Sequence, residues 1–291
     1  MVAKENFVLF LKKSAEEKDT IVCMGLDPVL QKIPIKGKNA EKTIIKFYSD
    51  IIDACISEDC LPSAFKPNYA FYAQHGFEGI RALIKIIELC KKTSVPVILD
   101  VKRADIGKTS SAYVKEIFDF FKADACTILP FFGTDSVQPF IDACANGYGA
   151  YVLNRSSNEG AKEFQGLICE GQPYYLKIAH KIAEWSSHCN NNLGAIVGAT
   201  SIDELKNIAS FYKKTLEVPL LIPGVGAQGG SASEVSKALK DIDYDLGIVR
   251  INASASLNYA YEKYATNDYA GAAVKALREL NDEIKFRCKD E

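Results

Sequence analysis

A lysine flanked by two carboxylates ends the stretch Val97-Ile98-Leu99-Asp100-Val101-Lys102-Arg103-Ala104-Asp105-Ile106-Gly107. The apolar, β-branched part reads as a strand buried on both faces. Its carboxyl end is where ligands and catalytic groups gather in a parallel α/β fold. Asp100 and Lys102 are two apart, so a regular strand points them to the same face. Asp105 follows three residues later, beyond the strand. Two carboxylates around one ammonium suit a reaction in which charge develops.

Other apolar runs also end in polar residues: Asp27, Lys66, Asn154 to Ser157, Pro223 to Gly230, and Arg250 to Ser256. In Gly224-Val225-Gly226-Ala227-Gln228-Gly229-Gly230, glycines let backbone N–H groups approach an anion, and the helix that follows favours negative charge at its start. This reads as a phosphate loop. Taken singly, each charge has a plainer reading. Lys102 and Asp100 form a structural ion pair; Asp105 caps a helix and Asp27 forms a turn before Pro28; Lys66 and Arg250 are solvated. Taken together, these readings leave several charges at one mouth without a purpose.

The elements that position them alternate along the chain. Strands are expected at Thr20–Leu26, Ser63–Asn68, the run from Val97 that carries Asp100 and Lys102, Asp124–Leu129, Gly149–Asn154, Gly194–Gly198, Val218–Ile222 and Leu246–Ile251. Helical periodicity lies between them, for example at 40–57, 77–92, 109–122, 134–146, 173–188 and 268–286, and a short helix at 5–17 precedes the first strand. Eight parallel strands with helical crossovers close a barrel. A single α/β domain over residues 1–291, a (β/α)8 TIM barrel, is the expected architecture.

The 35 basic and 37 acidic residues give a net charge of −2 with no basic block, so the chain has no electrostatic footprint for nucleic acid or an anionic membrane. No apolar run reaches the roughly 18 residues needed to span a bilayer. The first residues carry acid and lack a signal-peptide core. The nine cysteines form no close pair of the CxxC kind and read as small buried hydrophobes in a reducing, cytoplasmic setting. Only His75, His180 and His188 occur, far apart in sequence, which argues against a histidine-based triad or metal cluster.

Asp100-Val101-Lys102-Arg103-Ala104-Asp105 resembles the DxKxxD signature of the orotidine 5′-phosphate decarboxylase family. Gly25-Leu26-Asp27-Pro28, Phe65-Lys66-Pro67-Asn68, Asn154-Arg155-Ser156-Ser157-Asn158 and Pro223 to Gly230 resemble that family's other blocks, and the RSSN block resembles its second subfamily. The resemblance implies cofactor-free, metal-free decarboxylation of orotidine 5′-phosphate to UMP in a homodimer with shared active sites. It implies that Lys102 protonates the ring carbon that loses carbon dioxide. Asp100 flanks it from the same chain; Asp105, with Ile106 and Thr109, comes from the partner. Asp27 and Lys66 would hold the ribose hydroxyls, and Ser157, with Ser156, the pyrimidine. Pro223 and Gln228 would close over the ligand, with Gly226 and Asn252 also on the substrate. Any orotate phosphoribosyltransferase partner would be a separate chain.

One block departs from the pattern. After the eighth strand the family carries an arginine for the phosphate, in a pattern like N-x-S-R. This chain reads Asn252-Ala253-Ser254-Ala255-Ser256, and Arg250 is not the aligned residue. A weaker grip on phosphate is expected. Two other readings remain at this level: a magnesium-dependent barrel acting on a keto-sugar phosphate, which shares DxKxxD and needs a further acid at the mouth, and a non-catalytic phosphate-binding barrel.

Overall fold

The computed structural model describes residues 6–226 and 229–286. Eight parallel strands form one sheet: β1 Val22–Leu26, β2 Ala64–Pro67, β3 Ile98–Arg103, β4 Ala125–Ile128, β5 Gly149–Arg155, β6 Leu193–Val197, β7 Leu220–Ile222 and β8 Val249–Ala253. β1 closes on β8 through Val22↔Ile251, Cys23↔Asn252 and Met24↔Ala253. Between β2 and β3 the pairing thins to the bridges Phe65↔Val97 and Asn68↔Asp100. The fold is the expected (β/α)8 barrel, and its thinnest seam lies beside Asp100.

Amphipathic helices cover the outside, among them Ala40–Ser57, Gly76–Lys91, Thr134–Ala145, Tyr174–Ser187, Ile202–Thr215 and Tyr269–Ile284. Their apolar stripes pack on the strands, and polar side chains fix several starts. Asn39 accepts from the Lys42 N–H, and Asp268 from that of Gly271. No described helix is long and apolar enough to cross a membrane.

The barrel interior holds Cys23, Ala64, Ile98, Ala125, Tyr151, Ile196 and Leu221. The helix Phe7–Lys18 plugs the amino end, where Phe7 and Leu11 join this cluster. The Phe7 ring meets Tyr151 edge-on at 5.9 Å. Gly149 is required there, since a Cβ would collide with the Phe7 ring.

Three sequence expectations change. β8 begins at Val249, because Asp245 accepts from the Gly247 N–H and folds Leu246–Ile248 into a 3-10 turn. Arg250 is therefore the second residue of β8 and faces the plugged end, neither at the mouth nor solvated. It is fully buried and donates to the carbonyls of Leu11 (2.5 Å), Val249 (2.7 Å), Gly247 (3.1 Å) and Ser63 (3.3 Å). Burial pushes its pKa down to about 10. The helix expected at 109–122 runs from Gly107 to Val114 and continues as a π-helical turn, Lys115–Phe120. That turn presents Glu116 to Arg103, which lies between the rings of Tyr69 and Tyr113 at 4.8 and 4.7 Å. Of the eight described cysteines seven are buried, but Cys169 is exposed on a small hairpin; Cys288 lies outside the described residues.

Candidate active site

At the carboxyl end of the barrel, Asp100 binds two lysines. Lys66 Nζ lies 3.0 Å from Oδ2, and Lys102 Nζ lies 2.6 Å from Oδ1. Asp100 is 7% exposed and Lys66 4%. Burial alone would raise the Asp100 pKa, but Lys66 and Lys102 outweigh it and hold the carboxyl well below the usual range. Burial likewise opposes the charge on Lys66, yet Asp100, and Asp27 behind it, raise its pKa above the ordinary lysine value. Lys66 is thus a buried, fixed cation rather than a solvated one. The Lys102 side chain is 47% exposed at the mouth.

The backbone that aims Lys102 is unusual. The β3–β4 register shifts between Leu99 and Arg103, and Lys102 has φ 44°, a left-handed conformation costly for a side-chain-bearing residue. A bulge, not regular strand alternation, brings Lys102 to Asp100. Thr127 on β4 holds it. Its Oγ1 accepts from the N–H groups of Val101 (3.1 Å) and Lys102 (2.9 Å) and donates to Asp100 Oδ1 at 2.8 Å. One hydroxyl uses both its acceptor and donor capacity to lock backbone and carboxylate together. Sequence reasoning missed Thr127. The available signal was a lone hydroxyl in the apolar run Ala125-Cys126-Thr127-Ile128.

A cavity of about 390 Å³ opens above these groups. Of the sequence-predicted residues, Asp27, Lys66, Asp100, Lys102, Ser156, Ser157, Pro223 and Asn252 line it. Ser254 Oγ donates to Asp27 Oδ2 at 2.5 Å, and the Tyr259 hydroxyl donates to the Asp27 carbonyl and accepts from the Val29 N–H. Asp27 Oδ1 and Asn252 Oδ1 are buried and make no hydrogen bond to described residues. A buried acceptor without a donor is costly. Two of them at one mouth suit the hydroxyl or N–H donors of a ligand. Ser156 is engaged with Asn158 and Gln165, while Ser157 packs its backbone on Gly198.

The remaining predicted residues are elsewhere. Among the described residues Asp105 forms no ion pair with Lys102 of its own chain; its Oδ1 accepts from the Ile106 N–H at 2.7 Å, and its carbonyl accepts from Ser110 and Ser136. Ile106 projects outward, 62% exposed, with Thr109 on the turn behind it. Gly226 lines a neighbouring cavity, and Gln228 lies outside the described residues. Three N–H groups of the glycine loop bond within it: Gly226 donates to Gly230, Gly229 to Gly226 and Gly230 to Gly224. The helix Ala232–Lys240 is capped internally, because Glu283 accepts from the Ala232 and Ser233 N–H groups and Ser231 from that of Glu234. A carboxylate of the chain thus occupies the helix start that sequence reasoning offered to a phosphate.

Similarity to known proteins extends over most of the chain. The family model for the orotidine 5′-phosphate decarboxylase / HUMPS family matches residues 21–255. A relative from Variovorax paradoxus named orotidine 5′-phosphate decarboxylase is 37% identical over 284 residues, covering 95% of this chain and 98% of its own. One of the same name from Herpetosiphon aurantiacus is 38% identical over 256 residues, covering 87% and 90%. The solved Leishmania donovani OMP decarboxylase superposes with a TM-score of 0.76 at 27% identity, over 97% of this chain and all of that one (100%). The Leishmania donovani UMP synthase superposes with a TM-score of 0.79 at 28% identity, over 97% of this chain and 57% of that longer one.

Proposed function

The chain belongs to the orotidine 5′-phosphate decarboxylase / HUMPS family, and on that premise we propose that it is a carboxy-lyase converting orotidine 5′-phosphate to UMP in pyrimidine synthesis. The observation that carries this reading is the fixed Lys66–Asp100–Lys102 array, with Lys102 held on a strained backbone by Thr127. The bond from the pyrimidine carbon to the carboxylate breaks, carbon dioxide leaves, and the electron pair stays on the carbon. A preorganised ammonium stabilises that charge without reorganisation, then passes its proton to the same carbon. Asp100 fixes the Lys102 ammonium through their ion pair at 2.6 Å. Lys66, with Asp27 and Asn252, meets the ribose hydroxyls; Ser156 and Ser157 meet the pyrimidine under Pro223, and Gln228 and Gly226 serve the phosphate side.

The other half of the site comes from a second copy. Asp105 of the partner subunit completes the cage around Lys102, together with the partner subunit's Ile106 and the partner subunit's Thr109. Two observations support this. Among the described residues Lys102 pairs with Asp100 and Asp105 accepts from the Ile106 N–H, and the loops after β3 and β4 expose Ile106 and, at 83%, Phe131. An apolar rim beside an incomplete site suits an interface between copies. The test is an ultraviolet assay of orotidine 5′-phosphate loss, with and without a chelator. Turnover indifferent to the chelator supports the reading; no turnover, or turnover abolished by chelation, contradicts it.

A further inference from the structure

The mouth cavity and the neighbouring cavity of about 550 Å³ share the wall Val225, Ala255, Ser256 and Tyr259. This is the corner where the loop after β7 meets the segment after β8. It offers a dianion little positive charge. Lys66 and Lys102 are committed to Asp100, the N–H groups of Gly226, Gly229 and Gly230 bond within their own turn, and Glu283 caps the adjacent helix. The side chain at 255 is a methyl group. Two lysines line the neighbouring cavity, Lys32 and Lys263.

The two differ in how they are held. Lys32 sits on the loop after β1, and that loop is braced. The Tyr259 hydroxyl bonds the Asp27 carbonyl and the Val29 N–H, Tyr261 donates to the Lys32 carbonyl at 2.5 Å, and Lys36 donates to the carbonyls of Leu30 and Ile33. Its ammonium lies 5.4 Å from the centre of the Tyr259 ring, a residue of the shared wall. Its carboxylate partner is Glu262 at 3.1 Å, and both side chains are about half exposed (48% and 46%). An ion pair this exposed holds weakly, so a dianion competes for the lysine readily. Lys263 pairs with Glu279 at 2.8 Å, also exposed (66% and 45%), but it lies over Tyr264 and not over Tyr259 of the shared wall.

We propose that Lys32 supplies the cation for the substrate's phosphate, parked on Glu262 in the free enzyme and turned past Tyr259 and Ala255 when the ligand binds. This rests on the proposed substrate and adds a specificity-determining residue on the β1 loop. The phosphate grip is then carried by a flexible side chain on the loop after β1, with Glu262 as its competitor.

The test compares UMP with uridine in calorimetric binding, and orotidine 5′-phosphate with orotidine in turnover. Lys32→Ala should weaken UMP about 10- to 100-fold, the worth of one charge-assisted contact, and leave uridine unchanged. Glu262→Gln should tighten UMP, because the competitor is gone. Lys263→Ala removes the same charge from the same face and should change little. Ala255→Arg in the Lys32→Ala background should restore UMP binding. An effect of Lys32→Ala within twofold, or equal for UMP and uridine, overturns the proposal, as does weaker UMP binding by Glu262→Gln. Failure of the wild-type protein to turn over substrate counts against the decarboxylase reading alone, because UMP against uridine still measures the Lys32 contribution.

Discussion

Replacing Asp100 by asparagine removes the carboxylate that both lysines bond and leaves Lys66, 4% exposed, without its nearest counter-charge. An asparagine oxygen turned toward Lys102 and Thr127 puts its amide group against the Lys66 ammonium, donor against donor. Removing one partner of a buried pair costs about 3–5 kcal/mol. Asp27 still faces Lys66 electrostatically, which places the loss near the lower end, about 3 kcal/mol. The half-exposed Lys102 adds at most about 1 kcal/mol. The sign with pH is specific. In the wild type, Asp100 raises the Lys66 pKa, so this stabilisation is present below the unfolded lysine value and fades as pH rises through the folded one. In Asp100→Asn, burial leads and the folded pKa falls below the unfolded one. The unfolded chain then holds more protons in that window, and the variant gains stability as pH rises. Urea unfolding followed through Trp185, the single tryptophan, at about pH 7 and about pH 9.5 measures both effects. A loss below about 1 kcal/mol, or a deficit that does not shrink at the higher pH, refutes the reasoning.

Three further outcomes follow from the geometry. In Gly25→Ala the new Cβ lies 2.7 Å from Ser254 Cβ, so Ser254 is pushed off Asp27; stability should drop by about 1–3 kcal/mol and the KM should rise more than kcat falls, measured by melting and steady-state kinetics. Arg250→Met strips a donor from four carbonyls at the plugged end and should cost about 3 kcal/mol or more in urea unfolding, while the remaining folded protein keeps its KM. Mixing inactive Lys102→Ala with inactive Asp105→Ala chains should regenerate one working site per heterodimer; no recovered activity after demonstrated subunit exchange contradicts the crossing of Asp105 between copies.

The barrel was legible because the apolar runs and their helical crossovers alternate cleanly, and because Asp27, Lys66, Asp100 and Lys102 each end such a run. The details that set the site's geometry were hidden for physical reasons. A bulge leaves no periodic trace, so two-residue spacing gave the meeting of Asp100 and Lys102 by a route the backbone does not take. Thr127 acts through one hydroxyl inside an apolar strand, which composition reads as packing. Arg250 looked like a mouth residue because the boundary of β8 depends on a local Asp245 cap, and a three-residue slip sends its side chain to the other end of the barrel. The glycine loop advertised free N–H groups, but only the folded turn reveals that Gly226, Gly229 and Gly230 bond within it. Glu283 is far along the chain from the helix it caps, and no local pattern joins the two.

In the proposed function the Lys102 ammonium, held by Asp100, protonates the carbon from which carbon dioxide departs. Lys102→Ala tests it most directly, read as the rate of orotidine 5′-phosphate loss in ultraviolet absorbance alongside UMP binding and thermal melting. Turnover should be abolished, with folding intact and UMP still bound. Near-normal turnover by that variant would contradict it.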